Sequence, residues 1–247
     1  MKRVWVFSAV LPLVPLLFAS CATMSNLVGK PTYDPSSYGT AALIETVRSP
    51  QSVTSDATAA AKQLAQRTLS EEEGRELMDV LQENKNWKVR VALLQTMAAK
   101  HMTYLREDLA AYALEAPDSE TAVAAATTVV ELTSDQVEVL RFSTKLLIAS
   151  AYPAARARSA RLIADAFPEY AERVFVKALD EETSASSATL MCEFLAQKGS
   201  SECLPVLDEI ANNVTRVYQI DNYLGVKTTS ESVRAAAVRG SERLKGL

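Results

Sequence analysis

Beyond Pro50, apolar residues return at intervals of three and four, the spacing of helices that bury one side. Ala171, Val174, Phe175, Ala178 and Leu179 form one such stripe, and Leu207, Ile210, Ala211 and Val214 form another. Other stretches carry two stripes. In NWKVRVALLQTMAA, Val89, Ala92, Leu93 and Met97 face one way, while Trp87, Val91, Leu94 and Ala98 face another. A helix apolar on two sides must be covered on two sides. One-faced and two-faced helices therefore alternate along the chain, which predicts stacking.

The punctuation between stripes agrees. Ser70 followed by Glu73 is a capping box, with Glu71 and Glu72 at the positive end of the same helix. Asp118 or Ser119 is placed to cap the next unit, and Thr133 or Ser134 the one after it. Pro153, Pro168 and Pro205 fall near helix starts, where a missing N–H costs little, and Gly199 fits a helix stop. The chain has only 7 Gly, no Asn-Gly or Asp-Gly step and no sustained alternation of β-branched residues. The body is predicted to be all-α.

Small residues recur at Ala92, Ala125, Ala160, Ala188 and Ala236, with the first three intervals near those of helical solenoids and a longer last one. Val89-Arg90-x-Ala92 and Val233-Arg234-x-Ala236 resemble the first helix of HEAT-like repeats. The resemblance spans about residues 50–245 and implies an α-solenoid of stacked antiparallel helix pairs. It also implies that Arg90 and Arg234 are structural, each pairing with a polar group of the adjacent unit. The Trp…Leu-Gly…Tyr pattern of tetratricopeptide repeats is missing, and a plain helical bundle is the alternative.

NNVTRVYQIDNYLGVKTTSES, residues 212–232, breaks the period near the C-terminus. It is rich in Val, Ile, Tyr and Thr, and Asp221-Asn222 is able to turn a chain, so a short irregular or β-hairpin insertion is expected. Insertions in repeat arrays gather on one face, often the binding face. Arg216, Tyr218 and Tyr223 are of the types enriched at interface hot spots, which makes them the candidate partner-binding residues. The alternative is a loop that covers the end of the array.

The first forty residues differ from the rest. Lys2 and Arg3 precede an almost wholly apolar run from Val4 to Ala19, broken by Ser8, Pro12 and Pro15. That is a basic n-region and an apolar h-region, shorter than a membrane-spanning helix. Phe18-Ala19-Ser20-Cys21 resembles the lipobox of bacterial lipoproteins, with Phe18 where that family prefers Leu. The resemblance implies cleavage before Cys21 and lipidation of its sulfur. Two or more acyl chains hold a protein stably on a bilayer. Ala22, in place of the Asp that retains enteric lipoproteins at the inner membrane, leans towards the outer membrane. Ser, Thr, Gly and Pro then mark a tether. The expected organisation is a signal peptide over 1–20, a flexible tether over 21–40 and a helical-repeat domain over 41–247.

Charge and chemistry add exclusions. The formal charge is −4, from 26 basic and 30 acidic residues, and losing Lys2 and Arg3 takes it to about −6. A mildly acidic protein without a Lys/Arg block has no general attraction for nucleic acid. Arg156 to Leu162 is locally basic but lies in a helical pattern. Cys192 and Cys203 sit in a compartment that permits a disulfide; two small buried apolar residues is the competing reading. The single His101 has no ligand cluster around it, and no phosphate loop, nucleophile elbow or convergent acid pair is present. No catalytic residue, cofactor or metal is expected.

The expectation is therefore a membrane-anchored lipoprotein of the bacterial envelope, facing the periplasm or outer membrane. It would act as a protein-binding or scaffolding module for an envelope partner. An enzyme on a helical scaffold, acting on cell-wall or lipid material, and a structural surface lipoprotein are the alternatives.

Overall fold

The computed structural model describes residues 33–223 and 225–246, with only the backbone of Tyr223. The segment read as a signal peptide, Cys21 and most of the tether lie outside the described residues. A compact unit begins at Asp34. Asp34 caps a 3-10 turn at Pro35–Ser37, and Arg67 donates to the carbonyls of Ser36 (2.8 Å) and Tyr38 (3.1 Å).

Twelve helices follow among the described residues. They are α1 (Thr40–Arg48), α2 (Thr54–Leu64), α3 (Glu71–Glu83), α4 (Trp87–Ala99), α5 (Arg106–Glu115) and α6 (Ser119–Leu132). Then come α7 (Gln136–Ala149), α8 (Pro153–Ala166), α9 (Pro168–Leu179), α10 (Ala185–Lys198), α11 (Leu204–Asn212) and α12 (Ser230–Lys245). Between the last two lies a hairpin, β1 (Asp221–Tyr223) antiparallel to β2 (Val226–Thr228).

The even-numbered helices form one continuous layer, each packed on its even neighbours in sequence, and each odd-numbered helix packs on the even helix that follows it. This is an all-α, solenoid-like stack of helix pairs. The alternation of faces explains it. α3 buries one stripe, Leu77, Met78, Val80 and Leu81, whereas α10 is buried on both sides through Ala185, Ala188, Met191, Cys192 and Leu195. Small residues let neighbours of the inner layer approach. At Gly240 of α12 an added Cβ would lie 3.1 Å from Ala196 Cα and 2.8 Å from Leu207 Cδ1.

The caps follow the sequence with one change. Ser70 and Glu73 form the reciprocal box, at 3.2 and 2.8 Å, and Asp118 caps α6. α7 is capped by Asp135, 2.8 Å from the Val137 amide; Thr133 instead turns its hydroxyl back to the Val129 carbonyl. His101, just past α4, adopts the left-handed conformation (φ 51°), a common way for a helix to end.

Three local expectations are corrected. Trp87, the first residue of α4, is exposed, and Lys88 sits over its ring. Val214 is not part of the α11 stripe. The helix ends at Asn212, and the Asn213 side chain accepts from the Arg216 amide and Thr215 hydroxyl, turning the chain outward. Asp221-Asn222 does not turn the chain; both lie in β1, and the reversal uses Gly225 at φ 80°, a conformation other L-residues adopt at a cost. Cys192 and Cys203 are both buried and both free.

Candidate functional site

The insertion is built by polar groups reaching back into the array. From the turn at Asn213 the chain runs past the C-terminus of α9 and the N-terminus of α10. Arg216 donates to the carbonyls of Leu179, Asp180 (3.1 Å) and Glu182 (3.4 Å), at the negative end of α9. It also pairs with Glu209 at 3.6 Å and lies over the Tyr218 ring, 5.2 Å from its centroid. Gln219 bridges to Ser184 in parallel, its amide donating to the Thr183 carbonyl at 2.7 Å. Asp221 then accepts from the Ser184 hydroxyl, the Ser186 amide and the Thr228 hydroxyl at 2.5, 2.9 and 2.7 Å. The segment is a clasp over the ends of α9, α10 and α12.

This places the sequence candidates. Tyr218 is 2 % exposed and belongs to the core with Cys192, Leu207 and Val233. Burial is the main cause that pushes its hydroxyl up to about 12, and that hydroxyl has no hydrogen-bond partner. Arg216 has its guanidinium committed to α9. Neither presents a free side chain. Tyr223 pairs with Val226 through the backbone at the end of the hairpin. What the segment turns outward is apolar: Val214, Val217, Ile220 and Val226 are 61–79 % exposed. Arg216 and Tyr218 take the inward positions, so these aliphatic side chains are left to solvent.

Arg90 makes the polar link between units that the repeat resemblance implied, whereas the same link at Arg156 was not read from the sequence. Arg90 is buried, pairs with Asp118, and donates to the Thr121 hydroxyl (3.0 Å) and the Asn84 carbonyl. Arg156, read as part of a basic patch, is its equivalent. It is buried, pairs with Glu182 at 3.0 Å and donates to the Ser150 carbonyl at 2.8 Å. In each case an Arg in the first turns of an inner helix holds the start of the next inner helix. The signal was present: each Arg follows its carbonyl acceptor by 6 residues and precedes its acid by 28 or 26. Arg234 has no such pair among the described residues, since α12 is followed by no further described helix.

Compared with protein-family models, curated proteins and solved structures, the chain finds no match.

A depression of about 260 Å³ opens beside the clasp, between Ile148, Arg156, Lys177 and Thr183. Its Arg156 is already neutralised by Glu182. The buried thiols are poorly poised for reaction: burial pushes Cys192 up to about 12 and also raises Cys203. Among the described residues no group of three or more His, Cys, Asp and Glu side chains is placed to hold a metal ion, and no helix is long and apolar enough to cross a membrane. The arrangement offers surface, shape and exposed apolar side chains for binding.

Proposed function

We propose that this chain is a lipid-anchored protein of the bacterial envelope, held through Cys21, whose helical array is a docking scaffold for an envelope protein. The array carries the reading: stacked helix pairs give a long ridged surface of the kind repeat proteins use for partners. The clasp over residues 213–229 adds the exposed aliphatics Val214, Val217, Ile220 and Val226 to that surface. Large aliphatic side chains left this exposed on one short segment are candidates for burial against a partner. The anchor rests on the basic start, the apolar run and Phe18-Ala19-Ser20-Cys21.

Chemical cross-linking of the full chain in its native envelope, read by mass spectrometry, tests the reading. The expected result is one reproducible protein partner with cross-links concentrated on residues 212–232. Val217→Ser with Ile220→Ser should reduce that yield without changing the fold. A chain that captures no partner, or one whose cross-links are indifferent to these substitutions, would remove the docking role from this surface.

A further inference from the structure

The array repeats itself over two helix pairs. α8 begins 66 residues after α4, and the buried positions of the neighbouring helices coincide over the same shift. Leu77, Val80 and Leu81 of α3 correspond to Ser143, Leu146 and Leu147 of α7, all buried. Leu105, Leu109 and Ala113 correspond to Ala171, Phe175 and Leu179, again all buried. The link arginines keep the shift as well: Arg90 and its acceptor on Asn84 correspond to Arg156 and its acceptor on Ser150.

At one place the two units differ in volume. In the first, Tyr112 of α5 is partly buried beside the link. Its hydroxyl donates to the Leu81 carbonyl at 3.4 Å, and the Arg90 and Asp118 charges both act on it. In the second unit the corresponding residue is Ala178. The counterparts of Tyr112's neighbours are all kept: Leu147 for Leu81, Arg156 for Arg90, and Glu182 in place of Asp118 as the acid of the link. These three line the cavity of about 260 Å³ together with Ala178. The cavity beside the clasp is therefore the space that Tyr112 fills in the first unit.

Its chemistry suits a neutral ring. Leu147, Arg156, Ala178 and Glu182 are buried, and the exposed Ile148, Lys177, Asp180, Glu181 and Thr183 complete the lining. Arg156 is neutralised by Glu182, and Lys177 is outnumbered by Asp180 and Glu181, so nothing here draws an anion. A cavity of about 150 Å³ already takes a benzene ring, whereas sites for whole small molecules run to about 300–1,000 Å³. The space is that of one side chain. The Leu147 carbonyl, like that of Leu81, is among the last carbonyls of its helix, which have no partner within the helix.

We propose that this cavity receives a tyrosine side chain of a partner protein, with the ring beside Ala178 and the hydroxyl donating to the Leu147 carbonyl. Buried tyrosines of this kind are the anchors of protein interfaces. The clasp is bound to the same segment, since Arg216 donates to the Leu179, Asp180 and Glu182 carbonyls. The partner rests on the docking reading above; the fit of the cavity to a phenol does not, and neither depends on lipidation at Cys21.

The test is a nuclear magnetic resonance titration of the full chain in mild detergent with p-cresol, the tyrosine side chain as a free molecule. Saturable shifts at the Ile148, Ala178 and Thr183 amides are expected, with a Kd of about 1–10 mM. Ala178→Tyr supplies the ring from the chain itself and should abolish the shifts with Tm unchanged or raised; if it does not fold, Ala178→Leu is the blocking variant. No shifts at these residues, or shifts that survive the blocking variant, overturn the proposal. Cross-linking through Lys177 in the native envelope then identifies the source of the ring. Cross-links to a tyrosine-bearing peptide of one partner, lost with the blocking variant, are expected. Cross-links that the variant leaves unchanged overturn the proposal, as does a phenolic small molecule that is retained by the isolated chain and missing from the variant. Failure of the clasp as a docking surface would show at residues 212–232 and leave the p-cresol titration as it is, so the two readings fail separately.

Discussion

At the scale of the residue, the array depends on a few buried charges. The Arg90 guanidinium is almost fully enclosed, and Asp118 is about a quarter exposed. Removing one member of such a pair leaves the other without compensation. Arg90→Met should cost about 2–3 kcal/mol, read from urea denaturation. The same pair gives an acid dependence. Burial would raise the Asp118 carboxyl, but the Thr121 amide and hydroxyl and Arg90 outweigh it and hold it below its ordinary value. A carboxylate whose folded pKa is depressed contributes stability above its unfolded value, about 3.9, and loses it as pH falls through the folded one. The Tm advantage of the native chain over Asp118→Asn should be constant near neutrality and shrink below about pH 4. Tyr218 makes the opposite case. Its ring fills the core, but its buried hydroxyl is unpartnered. Tyr218→Phe should be neutral or slightly stabilising in thermal melts, whereas Tyr218→Ala should cost about 3–5 kcal/mol.

At the scale of the element, the insertion is better understood as a fastener than as a loop. Asp221 accepts three hydrogen bonds that join the start of α10 to β2. Asp221→Ala should cost about 1–3 kcal/mol, and hydrogen exchange should quicken at the Ser186 amide and through residues 221–228 while α1–α6 are unaffected. Unchanged protection there would mean that the hairpin is held by Arg216 and Gln219 alone. The residue types that marked Arg216 and Tyr218 for a partner in the sequence are enriched at interfaces because they are large and amphipathic. Here the same properties fix the clasp to its own chain. Composition alone does not separate an interface between two proteins from one between two parts of the same fold.

At the scale of the whole molecule, the repeat makes stability a matter of neighbours. Each inner helix is covered by the inner helices on either side, so units support one another in series. The anchor is separate from this stack. Cys21→Ser should release the chain from the membrane fraction into the soluble envelope fraction and abolish incorporation of labelled fatty acid, while circular dichroism of the helices is unchanged. Retention in the membrane with no label would remove the lipid-anchor proposal and leave the array as described.

The sequence by itself determined the helical class of the body, the caps at Ser70 and Asp118, the alternation of one-faced and two-faced units and the place where the period breaks. Those features follow from a 3.6-residue periodicity and from hydrogen bonds within three or four residues, both of which are local. Tertiary structure alone decided which polar groups meet and which side chains of the insertion point inward. Arg156 finds Glu182 across 26 residues, Arg216 finds the end of α9 across 37, and Asp221 finds Ser184 across 37. Burial is a property of neighbours distant in the chain. Val214, which continues an apolar stripe on paper, is left in solvent because the helix ends before it, and Tyr218, polar at its tip, is carried into the core.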